Sequence, residues 1–96
     1  MFAVYDVKPA DRAQIDAALK DDQVSRQSIA VREAAALGLS GGTLVLIEGE
    51  EAAVRRSHDL FAFATRLEGT KADEARQRFK AQDEDVASGV GLIFGG

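Results

Sequence analysis

The sequence predicts an α+β domain, two layers deep, with helices packed on a β-sheet. Three observations predict it. Thr43 to Glu48 is an apolar run of strand length that ends at Gly49 and passes at once into an acidic, alanine-rich helical pattern. Phe2 to Val7 is aromatic and β-branched and stops at Lys8-Pro9, where a helix can begin because the missing proline N–H has no helical partner at the first position. Val90 to Phe94 repeats the short apolar character at the far end of the chain.

In chain order, Phe2–Val7 predicts a first strand and Pro9–Lys20 a helix with Ile15, Ala18 and Leu19 on one face. Residues 23–39 admit two readings. Ser28 to Arg32 alternates like a strand, whereas Glu33 to Leu37 has strong helix propensity. The expectation is a strand running into one or two helical turns, stopped at Gly38 or Gly41-Gly42; the alternative is one unbroken helix from Ser28 to Leu39. Thr43–Glu48 then predicts a strand and Glu50–Leu67 a helix, with Glu50 and Glu51 where carboxylates favour a helix N-terminus. Its apolar arc runs through Ala53, Val54, Leu60, Phe61, Ala64 and Leu67, with Phe63 on the flank and Glu51, Arg55 and Asp59 four apart on the opposite side. Thr70 and Asp73 outline a capping box. They open a helix from Lys71 to about Ser88 whose stripe of Ala72, Ala75, Phe79 and Val86 is narrow. Gly89 ends it before the closing strand Val90–Phe94.

Without the third helix this order is βαββαβ, the ferredoxin-like split arrangement, here with one extra helix before the last strand. Ninety-six residues form one domain with a thin core. At 46% hydrophobic and 29% charged residues the composition is that of a folded domain. The net charge of −4, with signs interspersed, disfavours the clustered basic footprint of a nucleic-acid surface. Cysteine is absent, which removes disulfides, thiol nucleophiles and thiolate metal sites. The chain has no apolar run of bilayer-spanning length and no signal-like N-terminus, so a cytoplasmic protein without a membrane partner is expected.

The strands carry apolar residues on both faces. Phe2 and Val4 oppose Ala3, Tyr5 and Val7; Leu44 and Leu46 oppose Val45 and Ile47; Val90, Leu92 and Phe94 oppose Ile93. Two helices cover one face, so a second cover is required. Either the third helix supplies it or a second copy of the chain packs sheet against sheet. The expectation is a homo-oligomer, with Tyr5, Val7, Val45, Ile47 and Ile93 as candidate interface residues.

No residue set has a recognisable catalytic or metal-binding pattern, and no cofactor is expected. His58 is the single histidine, at the edge of an apolar arc, and adjacent helix positions keep Ser57 from serving as its nucleophile partner. Asp21-Asp22 and Asp83-Glu84-Asp85 oppose the helix dipole, with solvated, fraying helix ends as the plain reading and a hard cation as the sharper one. Gly38 to Gly42 reads as a turn, since it lacks the Lys-Ser/Thr of a phosphate loop. Arg76, Arg78 and Lys80 read as solvated helix charge.

The segment Leu44 to Val54 resembles the strand–Gly–helix step of KH domains, ACT domains and microcompartment shell proteins. Together with Arg26 to Arg32 and the C-terminal Gly-Leu-Ile-Phe-Gly, it makes the chain similar to small uncharacterised archaeal α+β proteins of ferredoxin-like type. That resemblance rests on no diagnostic motif and implies no activity. The expected function is a non-enzymatic, self-associating binding module used in assembly or regulation. The alternative is a nucleic-acid- or nucleotide-binding module contacting an anion through Arg26, Arg32, Gly41 and Gly42. A carboxylate enzyme built near Glu48, Glu50 and Glu51 is the third and weakest reading.

Overall fold

A computed structural model describes the backbone from Met1 to Gly95 and the side chains as far as Gln82. The protein is a mixed α+β domain. Its strands are β1 (Phe2–Val7), β2 (Ser28–Glu33), β3 (Thr43–Glu48) and β4 (Thr65–Arg66); its α-helices are α1 (Ala13–Leu19), α2 (Glu51–Leu60) and α3 (Gly69–Gly95). Single 3-10 turns at Pro9–Asp11, Val24–Arg26 and Ala34–Leu37 link them. The strands form one sheet in the order β2-β3-β1-β4, every neighbouring pair antiparallel.

The first three strands and the first helix lie where the sequence places them. Residues 28–39 take the strand-plus-turn form: Gly38 ends the Ala34–Leu37 turn at φ 72°, a left-handed conformation that favours glycine. Two expectations fail together. The predicted helix Glu50–Leu67 stops at Phe61, and residues 65–66 become β4, registered Tyr5↔Arg66 and Asp6↔Thr65. The Leu67 N–H also donates to the Val4 carbonyl at 2.9 Å. Segment 90–94, expected as a closing strand, is instead part of α3, and the free edge of β1 is taken by β4. Gly89 does not end the helix. The extra helix therefore follows the last strand instead of preceding it.

Both sheet faces are covered, and within one chain. Toward α1 and α2 point Ala3, Tyr5, Val7, Val45 and Ile47, packed with Ile15, Ala18, Val24, Val54 and Phe61. Toward α3 point Val4, Leu44 and Leu46, sealed by Ala34, Leu37, Ala75 and Phe79. The molecule has three layers, which corrects the two-layer expectation. It also corrects the candidate interface. Tyr5 is 1% exposed and Val7, Val45 and Ile47 are fully buried beneath the protein's own helices, while the Ile93 side chain lies outside the described residues. Strand alternation separates two faces but does not say which one the first two helices choose. Self-association through those residues loses its basis, because the apolar surface it was to hide is already dry.

Glu48 shows how α3 is fastened. Arg76 and Lys80, one turn apart, grip its two carboxylate oxygens at 2.7 Å each. The Arg76 guanidinium also lies 5.0 Å from the centre of the Phe2 ring. These two cations, read from sequence as solvated, instead join the helix to the end of β3.

Candidate functional site

Most of the residues singled out in the sequence are taken up by structural bonds. Asp21 follows α1 at a position where a frayed end was expected. Its carboxylate instead accepts the backbone N–H groups of Gln23 and Val24 and a two-pronged contact from Arg56 on α2, at 2.8 and 2.6 Å. The Arg56 hydrogen bond holds the Asp21 carboxyl down at about 2, and the same contact raises the Arg56 guanidinium. A carboxyl depressed on folding contributes stability that is complete above its unfolded value near 4 and is lost as pH falls through 2. Asp21→Asn, which removes the charge but keeps an acceptor, should lower the melting temperature at pH 7 by a few degrees. It should also flatten the loss of stability between pH 4 and pH 2, both read by circular dichroism.

Glu48, Glu50 and Glu51 do not converge on a reacting group. Burial acts to raise the Glu48 carboxyl and is outweighed by Lys80 and Arg76, so it lies below its ordinary value. The Glu50 backbone N–H donates to the Gln27 side chain at 3.0 Å, and Glu51 pairs with Arg55 along α2. Ser57 is fully buried; its hydroxyl donates to the Val54 carbonyl and therefore accepts from the Tyr5 hydroxyl at 2.6 Å. Burial pushes the Tyr5 phenol above its ordinary value, against the pull of the Ser57 hydrogen bond. His58 faces the Tyr5 ring edge-on at 6.4 Å, and burial, helped by the Arg66 cation, lowers its imidazole. The Tyr5–Ser57 pair thus locks α2 to β1 through the middle of the core.

The proposed anion contacts separate. Arg26 pairs with Asp22, and Arg32 donates to Gln82 at 2.8 Å and to the Val31 carbonyl. The Gly42 N–H donates to the Asp6 carboxylate at 2.9 Å, so the glycine turn faces a negative group instead of awaiting one. Among the described residues no group of three or more His, Asp or Glu side chains is placed to hold a metal ion. The Asp83-Glu84-Asp85 side chains lie outside the described residues. Among the described residues, no helix is long and apolar enough to cross a membrane.

The concavity taken as the candidate site combines an apolar floor with polar side chains. It is a cleft of about 490 Å³, between the 38–42 turn and the first two turns of α3. Leu44 of β3 and the flanking Leu39 and Leu67 form its floor, continuous with the α3-side core. Asp6 of β1, Ser40, Lys71 and Glu74 line its polar side. A hollow of about 520 Å³ beside Arg26 has polar walls only. The groove of about 570 Å³ along α1 is more open, and its Arg12 is already paired with Glu33 at 2.9 Å. The sequence reading reached the glycine turn but missed Asp6, Leu67 and Lys71. The available signal was Asp6 itself, a carboxylate on the face of β1 that otherwise carries Phe2 and Val4.

No protein-family model matches the chain, and no curated protein or solved structure matches it.

Proposed function

We propose that the protein is a non-enzymatic regulatory binding domain whose ligand site is the cleft between the glycine turn and α3. One observation carries this reading: Leu39, Leu44 and Leu67 meet Asp6 and Lys71 around a space of about 490 Å³, within the roughly 300–1,000 Å³ typical of small-molecule sites. Its back wall is the sheet, and its sides are a turn and the start of a helix. Such a site can couple occupancy to the seating of α3, which is the regulatory part of the proposal. We also read residues 2–66 as a split βαββαβ unit of ferredoxin-like type. The chain order β1-α1-β2-β3-α2-β4 and the antiparallel pairing support this.

The test is a fragment screen on the ¹⁵N-labelled chain, read by amide shifts. Binders are expected to move the amides of Gly38 to Gly42 and of Lys71 saturably and together. A screen whose binders all map to α1 or to the Arg26 hollow overturns the assignment.

A further inference from the structure

We infer that Arg32 bars the outer edge of β2 against pairing with a strand of another chain, and that α3 holds the bar in place through Gln82. The sheet has two ends. One is β4, only two residues long, which offers little backbone to a partner. The other is β2, six residues long, with the half-buried apolar run Ile29, Ala30 and Val31 at its centre. An open edge of that length and composition is a template for a further strand.

The ladder with β3 decides which backbone groups are open. The Ala34 N–H donates to the Gly42 carbonyl at 2.8 Å and continues the register that pairs Glu33 with Thr43. Backbone groups alternate in direction along an antiparallel strand, so Ser28, Ala30 and Arg32 turn theirs to β3 while Ile29, Val31 and Glu33 turn theirs outward. No group among the described residues accepts the Ile29, Val31 or Glu33 N–H. The middle carbonyl of this outward row is occupied. Arg32 folds back on it: Nη1 donates to the Val31 carbonyl at 2.8 Å while Nε donates to the Gln82 side-chain oxygen, also at 2.8 Å. Gln82 is itself anchored, its side-chain amide donating to the Ala36 carbonyl at 3.2 Å. A charged guanidinium thus lies across the edge. An incoming strand has to break a charge-assisted hydrogen bond and desolvate a cation to pair there. Because Gln82 belongs to α3, the seat of that helix and the closure of the edge are one device.

The experiment compares the parent with Arg32→Ala, Gln82→Ala and Arg26→Ala by sedimentation velocity and amide hydrogen exchange. Arg26 pairs with Asp22 ahead of β2, so its loss removes the same charge without opening the edge. The parent is expected to be monomeric, with fast exchange at the Ile29, Val31 and Glu33 amides. Arg32→Ala should self-associate at least about tenfold more tightly than the parent and slow those three amides as concentration rises. Gln82→Ala, which keeps the arginine and removes the Gln82 hydrogen bond, should do the same to a smaller extent; it keeps the test decisive should Arg32→Ala fail to fold. Arg26→Ala should match the parent. An Arg32→Ala protein that folds and stays monomeric, or one whose association leaves the three outward amides unprotected, overturns the inference. A parent already paired through those amides overturns it as well. If Arg32→Ala associates and Gln82→Ala does not, the part assigned to α3 falls.

Discussion

Phe79→Ala should unseat the described part of α3 and remove about 3–5 kcal/mol of stability. Phe79 is 1% exposed and, among the described residues, is the one large apolar side chain on the buried face of α3, beside Ala72 and Ala75. Small residues let the helix approach the sheet closely but bury little area themselves. At roughly 25 cal/mol per Å² of apolar surface, the phenyl ring supplies most of the apolar attachment of the described part of α3. A domain of this size has a total stability of about 5–15 kcal/mol, so the loss is a large fraction of it. The ion pairs of Glu48 with Arg76 and Lys80 lie at the helix margin, where exposed pairs contribute about 1 kcal/mol or less each. They set where the helix lands more than how tightly it holds. Once α3 lifts, Val4, Leu44 and Leu46 meet water as a contiguous patch. The variant should therefore self-associate in light scattering at concentrations where the parent does not. Phe79→Leu, which keeps most of the volume, should cost less than about 1.5 kcal/mol and leave the molecular mass unchanged. A Phe79→Ala protein with parental urea stability would show that α3 is not the cover of this face.

That same surface explains how far the sequence could be read. The apolar residues on both sides of β1 and β3 required two covers, and the structure has two. Periodicity was informative there because a strand buried on both faces has no polar alternative. It was uninformative about the source of the second cover, since the stripe of Ala72, Ala75 and Phe79 looks peripheral when only its width is judged. The misplaced fourth strand has a different cause. Phe61, Ala62, Phe63, Ala64 and Thr65 satisfy a helical arc and a two-residue alternation equally well. The choice is made by a distant partner: Phe61 stacks on Tyr5 with ring centres 4.6 Å apart, and Thr65–Arg66 takes up the open edge of β1. Val90 to Phe94 has strand character locally, but local propensity yields to context: the segment continues α3, and the edge of β1 is taken by β4. The cleft was hidden for the same reason. Asp6, Leu44, Leu67 and Lys71 are far apart in sequence, and only the β1–β3 pairing and the return through β4 bring them to one end of the sheet.

Gly42→Ala is expected to be as damaging as the loss of the Phe79 ring, through steric overlap in place of a cavity. A Cβ at position 42 would lie 2.2 Å from the Val7 carbonyl oxygen and 3.2 Å from its carbon. These are backbone atoms of the strand at the centre of the fold, so no rotamer change relieves the clash. Overpacking against side chains costs about 1–3 kcal/mol; an immovable carbonyl places this substitution at the upper end or above. Gly42 also ties three segments together. Its N–H donates to Asp6, its carbonyl accepts the Ala34 N–H at 2.8 Å, and Thr43 beside it begins the register with Val7. Displacing it strains the hairpin between β2 and β3 and the β1–β3 ladder at once. Gly69 provides the comparison. Its φ is +60° but a Cβ there meets nothing within 4 Å, so Gly69→Ala should cost only the left-handed backbone penalty of about 1–2 kcal/mol. Urea melts of the two variants side by side separate steric contact from backbone conformation. Equal losses would mean that the close approach of Gly42 to Val7 does not hold in solution. A much larger loss at Gly42 would mean that its close approach to Val7 holds in solution, so that the cleft is built on a tightly packed turn joined directly to the β1–β3 pairing.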